Sequence, residues 1–382
     1  MCFKRILHKL FSSVMHQKRL SSFVLLISSA LNTKKISITN IGRGLDLPIQ
    51  ERSCIRRSDR FVGNKNLHRE VEDIYKQFTL SIIGMKMRPK ILVDWSQAPN
   101  TKNHILRAAL AGDGRSLTFY EEVHEEKYLN NPKVEIKFLS TLKKLLPEKC
   151  NPIIITDAGF RNLWFKKILS LGWDYIGRVR GTPCCFDGEK WISCKDLLSK
   201  ATIGFRYIGK KLLCKTNSLN TYLYLIKQKP KGRKSTRRKP GGKRDELNYK
   251  RSGKEAWLLA SSLPGDSYIK IQRIEKAYKL RMQIEQGFRD IKSPNFGFGL
   301  RNAFSRDPKR IQILLLIAMI AIWIAWCIGY YLERNKIHWE FQSNSLKSRR
   351  VISFVYLGCR AIDRKIILPH LSFIWAELSA RI

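Results

Sequence analysis

Apolar residues in the first 85 positions recur at helical spacing, with amphipathic stretches through Leu20–Leu31 and Val71–Ile83. Between them, Ser37 and Thr39 precede ITNIGRGL, and a turn at Pro48 leads into ERSCIRRSDRFVGN. The pattern predicts two short helices, the second carrying Arg52, Arg56, Arg57 and Arg60 in the manner of a helix-turn-helix reader of DNA. An arginine-rich face that is merely solvated has the same pattern. From about residue 88 the period changes. KILVDW is an apolar run ending in an acid, HILRAALAGDGR carries a Gly112-Asp113-Gly114 hairpin turn, and SLTFYEEV follows as the returning strand. A helix is expected over Pro132–Leu146, after which NPIIITDAGF repeats the theme of an apolar run leading to an acid. A helix over Arg161–Leu171 and a strand over Asp174–Arg180 follow, and this order of elements is that of an α/β layered domain.

Regularity breaks between about 183 and 254, where short alternating strands such as TYLYLIK give way to KPKGRKSTRRKPGGKR. Residues 227 to 254 hold thirteen Lys and Arg against Asp245 and Glu246, which predicts a flexible basic loop. The α/β theme resumes with EAWLLASSL as a strand and Ile271–Ile291 as one long helix. Three regions result: helical 1–86, α/β 87–304 with a β-rich basic insertion at about 183–254, and helical 305–382.

Composition narrows the function. Hydrophobic residues make up 44 % of 382 positions, enough for a buried core and against disorder. The 72 Lys and Arg against 31 Asp and Glu give a net charge of +41, spread along the whole chain. Such a surface calls for a polyanion, and nucleic acid is the first choice because each neutralised phosphate releases counterions. An anionic membrane or a ribosome would satisfy the same charge. Nine cysteines without a C-x-x-C pair and its matching half indicate neither a zinc site nor a disulfide framework, and fit reduced thiols in the cytoplasm. The N-terminus mixes Lys, Arg and His through its apolar residues and does not read as a secretory signal. Ile311–Leu332, with Gln312 as its one strongly polar residue, is long enough to cross a bilayer. The expectation is instead a helix buried on most sides in a large domain, with no membrane partner.

Asp94 and Asp157 each end an apolar strand-like run, which would set their carboxylates at the edge of a sheet, facing solvent. Carboxylates on neighbouring strands repel unless a cation lies between them, and hard oxygen donors suit Mg²⁺ or Mn²⁺. Two such ions roughly 3.5–4 Å apart serve phosphoryl transfer. Two strand-end aspartates alone are also common as structural caps. A third acid stands in AYKLRMQIEQGFRDIKSPNFG: on one helix, Tyr278, Arg281, Glu285 and Lys292 would fall on a single stripe, an acid among cations and an aromatic. An ordinary salt-bridged surface helix would share those residue types.

The spacing Y-x2-R-x3-E-x6-K, matched without a gap by Tyr278, Arg281, Glu285 and Lys292, resembles the signature of insertion-sequence transposases of the "insertion sequence four" family. LVDWS at 92–96, TDAGF at 156–160, RVRG at 178–181 and RMQIEQGFRDIKSP at 281–294 carry the same resemblance. It implies a ribonuclease-H-like catalytic core with a β-rich insertion, flanked by helical regions. It implies a DDE site of Asp94, Asp157 and Glu285 holding two Mg²⁺ or Mn²⁺ ions, and cut-and-paste transposition through a DNA hairpin. Its partners would be the element's terminal inverted repeats, target DNA and a second copy of the chain pairing two ends, in the cytoplasm at the nucleoid. Tyr278, Arg281 and Lys292 become DNA contacts. Trp257, 21 residues before Tyr278, takes the place of an aromatic that stacks a flipped base, a role compatible with a core position on its strand. A ribonuclease-H-like nuclease without strand transfer, a membrane-anchored DNA-binding protein and an inactive transposase descendant are the competing readings.

Overall fold

The computed structural model describes residues 3–181, 183–229, 255–265, 267–343, 346 and 348–366. Two compact units emerge, one formed by 1–150 together with 282–382 and the other by 151–281.

In the first unit five helices come first: α1 (Phe3–Phe11), α2 (Gln17–Thr33), α3 (Ile38–Arg43), α4 (Glu51–Val62) and α5 (Lys65–Ile83). Their starts follow local chemistry. Ser37 accepts the Asn40 N–H to cap α3, and Asn64 accepts the Leu67 N–H at 3.0 Å to cap α5. Strands β1 (Lys90–Gln97), β2 (His104–Ala111) and β3 (Ser116–His124) form an antiparallel meander. A register shift between Ala108 and Ala109 leaves Phe119 as an extra residue in β3. Helix α6 (Pro132–Leu145) starts at an Asn131 cap followed by proline.

The apolar segment is helix α11 (Pro308–Arg334), capped by Asp307. It is the one helix among the described residues long and apolar enough to cross a membrane, and 89 % of its most apolar window is buried within the protein. It packs against α2, β3 and α12 (Phe354–Asp363). Gln312, the strongly polar residue within the apolar stretch 311–332, is engaged: its Nε2 donates to the Glu121 carbonyl at 2.6 Å and to Tyr75 Oη at 2.9 Å. Trp323 Nε1 donates to the Thr118 carbonyl at 2.8 Å. Two glycines let α11 and α12 cross at contact distance, since a Cβ on Gly358 would stand 1.8 Å from the Ala325 oxygen and one on Gly329 2.0 Å from the Phe354 oxygen.

In the second unit, β4 (Ile153–Thr156) runs parallel to β5 (Asp174–Val179), with α7 (Asn162–Ser170) as the crossover. Then come β6 (Cys184–Phe186), β7 (Trp191–Ser193), α8 (Cys194–Ser199), β8 (Gly204–Leu213) and β9 (Leu219–Lys227), followed by β10 (Trp257–Ser261) and α9 (Tyr268–Lys279). Their order in this unit is β4-β5-β10-β9-β8-β6-β7, so the strands of the β-rich segment continue the sheet through β10. The basic loop at 230–254 and the tail after 366 lie outside the described residues.

One expectation is corrected. Ile271–Ile291 is not one helix: α9 ends at Lys279 and α10 (Met282–Lys292) begins three residues later. Leu280 and Arg281 donate to the Ala277 and Tyr278 carbonyls, a turn bonded three residues back that resets the helical phase. The start of α10 is set from a distance. Ser116 Oγ donates to the Gln283 carbonyl at 3.0 Å, and the Gln283 amide exchanges bonds of 3.0 and 3.1 Å with the Gly112 backbone. The four signature residues are therefore divided, with Tyr278 on α9, Arg281 in the turn, and Glu285 and Lys292 on α10.

Candidate active site

In the first unit Asp94 lies within β1 rather than at its end, three residues before Gln97, and is half-buried. The expectation of a strand-end, solvent-facing acid is corrected to that extent. Its Oδ1 accepts the Trp95 N–H at 2.9 Å. On the opposite face of the strand, Trp95 Nε1 donates to Glu135 Oε1 on α6 at 3.2 Å, which fixes which side of the pleat Asp94 occupies.

Helix α10 packs on the Asp94 face of the meander. Glu285 and Lys292 are seven residues apart, two turns, and so lie on one side of α10, Glu285 exposed and Lys292 half-buried. The Lys292 amine reaches the end of β1, donating to Ser96 Oγ at 2.7 Å and to the Gln97 carbonyl at 2.6 Å. Burial lowers its pKa to about 8; Arg107 and Arg301 push the same way, while Glu121 and Asp94 oppose. Asp94 and Lys292 are thus electrostatic neighbours within one unit.

In the second unit Asp157 immediately follows β4, and its Oδ1 accepts the Gly159 N–H at 2.8 Å. Tyr278 on α9 is buried; burial pushes its hydroxyl up to about 12, with Arg281 and Arg178 pulling it down and Asp157 pushing it up. Tyr278 also hydrogen-bonds Arg281. Trp257, the half-buried first residue of β10, stands edge-on to Tyr278 with ring centroids 5.3 Å apart and planes at 68°. Asp157, Tyr278, Arg281, Arg178 and Trp257 are therefore brought together in this unit.

Arg56, Arg57 and Arg60 project from the exposed side of α4, whose buried side is Cys54, Ser58, Phe61 and Val62. Arg57 Nη2 donates to Ser22 Oγ at 3.3 Å.

Arg107 and Glu121 had no place in the sequence reading. They form a fully buried pair beside Asp94, with Arg107 Nε and Nη2 at 2.7 and 2.6 Å from Glu121 Oε1. A charge inside the apolar run HILRAALA was the available signal. In the second unit Arg178, paired with Glu255 at 2.9 Å, was likewise unassigned.

The donor chemistry of Asp94, Asp157 and Glu285, all hard carboxylate oxygens, fits a divalent ion such as Mg²⁺ or Mn²⁺. Within neither unit, among the described residues, do three His, Cys, Asp or Glu side chains gather as a ready-made metal centre. Asp94 and Glu285 belong to one unit and Asp157 to the other.

An acid on a strand beside an arginine and a lysine, as in the first unit, and an acid just past a strand near two arginines, as in the second, suit an enzyme acting on phosphodiesters. Residues 87–324, well over half of the chain, match the transposase DDE domain family. The chain belongs to that family: it is a transposase, an enzyme that cleaves DNA and transfers its strands. The family implies a ribonuclease-H-like fold, with which the strands and helices described above are compatible, a DNA partner and a requirement for divalent metal ions. No curated protein matches the chain.

Proposed function

We propose that this transposase moves an insertion sequence of the "insertion sequence four" kind by cut-and-paste, in the manner of the transposase of the tetracycline-resistance composite transposon that its motifs resemble. The observation that carries the reading is the seating of Lys292, last residue of the Y-x2-R-x3-E-x6-K signature, at the end of β1 beside Asp94, inside the matched segment. Asp94, Asp157 and Glu285 would hold two Mg²⁺ or Mn²⁺ ions. Such ions, when bound, activate the attacking oxygen and stabilise the leaving one.

The residues of the chain bind and orient DNA around those acids. Arg281 and Lys292 hold phosphates next to the scissile bond. Water displaces the 3′-oxygen at the element end and frees a 3′-hydroxyl, which attacks the opposite strand and closes a hairpin. A second water opens the hairpin, and the regained 3′-hydroxyl attacks target DNA. Each step is an in-line displacement at phosphorus, with the entering oxygen losing a proton and the leaving one gaining it. Trp257 stacks the base flipped out at the hairpin. Arg56, Arg57 and Arg60 contact the terminal inverted repeat, and two copies of the chain pair two ends. In this division residues 1–86 read DNA, 87–304 perform the chemistry with the β-rich part at 183–254, and 305–382 complete the helical framework. The enzyme acts in the cytoplasm at the nucleoid.

The test is Asp94→Asn, Asp157→Asn and Glu285→Gln on a labelled element end with Mg²⁺. Each variant is expected to bind the end and to leave it uncut. Nicking retained by any one removes that residue from the site.

A further inference from the structure

A row of alternating charges crosses the three-stranded meander. Asp94 on β1 is the register partner of Arg107 on β2, and Arg107 is the register partner of Glu121 on β3. Directly opposed residues of antiparallel strands project from the same face, so the three side chains stand side by side. Arg107 is 1 % and Glu121 0 % exposed, and the arginine turns its Nε and Nη2 to one oxygen of the glutamate.

Helix α10, which carries Glu285 and Lys292, lies on top of the row. The Arg107 guanidinium is 3.9 Å from the Phe288 ring centre. Gly287 makes this approach possible: a Cβ there would stand 3.1 Å from Ser116 Oγ and 3.6 Å from Arg107 Nη1. Lys292 crosses the same face to the end of β1, with its amine 5.0 Å from the Phe288 ring centre. One guanidinium thus touches the glutamate of β3 and the helix bearing two signature residues, and stands opposite the acid of β1.

A buried ion pair is a poor device for stability alone, because desolvating both charges offsets most of their attraction and apolar residues of similar volume often serve as well or better. Its strength is geometric: the planar fork of arginine has few ways to be satisfied.

We propose that the buried Arg107–Glu121 pair is a positioning element of the transposase reaction, holding the Asp94 carboxylate and the Glu285-bearing helix in their working relation. The inference rests on reading Asp94 and Glu285 as site residues. Arg107 stands directly across from Asp94 on the neighbouring strand and the same face, and its guanidinium packs on Phe288 of α10, so one fixed group borders both the acid and the helix. Losing that fork leaves the Asp94 carboxylate and α10 without their common fixed neighbour, so a divalent ion would meet oxygens less well placed to hold it.

The test replaces the pair without changing local net charge, in the double variant Arg107→Met with Glu121→Met, beside Asp94→Asn. Four quantities are measured in the full chain: thermal midpoint, end binding without divalent ion, nicking rate, and the Mg²⁺ concentration for half-maximal nicking. The double variant is expected to melt near the parent and to bind the end within twofold. Its nicking should fall at least tenfold, about 1.4 kcal/mol by the transition-state relation, and it should need several times more Mg²⁺. A merely structural pair would move the thermal midpoint and leave the Mg²⁺ requirement alone. Nicking and Mg²⁺ requirement within twofold of the parent, while Asp94→Asn is inactive, would overturn the proposal and spare the site; cutting by Asp94→Asn would instead overturn the site. If the double variant does not fold, Arg107→Lys decides, since it keeps the charge and loses the fork: a raised Mg²⁺ requirement supports positioning, and an unchanged one refutes it.

Discussion

Replacing Trp257 with alanine removes a half-buried indole that stands edge-on to Tyr278. The ring pair is worth about 1 kcal/mol, and exposing the apolar surface it covered costs roughly 2 kcal/mol more. Against a stability of even about 5 kcal/mol, a loss of about 3 leaves roughly 97 % of the protein folded. First-strand nicking, if Trp257 serves only the core, should therefore fall by a few per cent, and so should every later step. Stacking on a flipped base is worth about 1–3 kcal/mol, a five- to 150-fold effect confined to the steps in which the base is out. The two roles thus differ in which step is slowed, although their energies are alike. The assay is a gel time course on a labelled, pre-bound element end, resolving nicked, hairpin and opened products for the parent, Trp257→Ala and Trp257→Phe. Nicking should stay near the parent rate while hairpin formation or opening drops at least tenfold in Trp257→Ala and less in Trp257→Phe. An abasic residue at the flipped position should restore part of the loss, since it has no stacking to lose. Equal slowing of nicking and hairpin steps, with no abasic rescue in a folded variant, would exclude base stacking and leave Trp257 as a core residue.

Gly358→Ala should destabilise the chain by about 3 kcal/mol, as overpacking of a tight interface does, because its Cβ would stand 1.8 Å from the Ala325 oxygen and force α11 and α12 apart; a urea midpoint equal to that of the parent would contradict the close crossing. Burial pushes the Asp290 carboxyl up to about 6 despite its ion pair with Arg115 at 3.1 Å. A folded-state pKa above the unfolded value favours the fold at low pH, and the benefit is lost as pH rises through 6. The stability difference between the parent and Asp290→Asn should therefore shift by about 1 kcal/mol against the parent between pH 5 and pH 7, measured by urea unfolding, and a pH-independent difference would show that the carboxyl is not desolvated.

Much of the local structure was legible because its causes are local. The strands of KILVDW, HILRAALA and SLTFYEEV, the hairpin turn between the second and third, and the helices after Asn131 and Arg161 lie where alternation, caps and turn residues put them. Two short helices follow Ser37 and Pro48 as expected. The signature spacing was equally open to reading, since it needs only the order of residues. The interruption at Leu280 and Arg281 was not, because neither residue breaks a helix by itself; the anchors that start α10 are Gly112 and Ser116, some 170 positions earlier.

The periods, the caps, the excess of positive charge and the spacing of the acids and cations follow from residue order alone, all being properties of neighbouring residues or of the chain as a sum. The fold was needed to show which side of the pleat Asp94 shares with Arg107 and Glu121, because strand register and a one-residue bulge set that pairing. It also decided the fate of the apolar segment 311–332: hydropathy cannot distinguish lipid from protein as the surroundings of a helix, and here α2, α12 and β3 cover it while Glu121 and Tyr75 engage Gln312. And it decided that Lys292 is a half-buried amine docked on β1, since its partners come from a strand nearly 200 residues away.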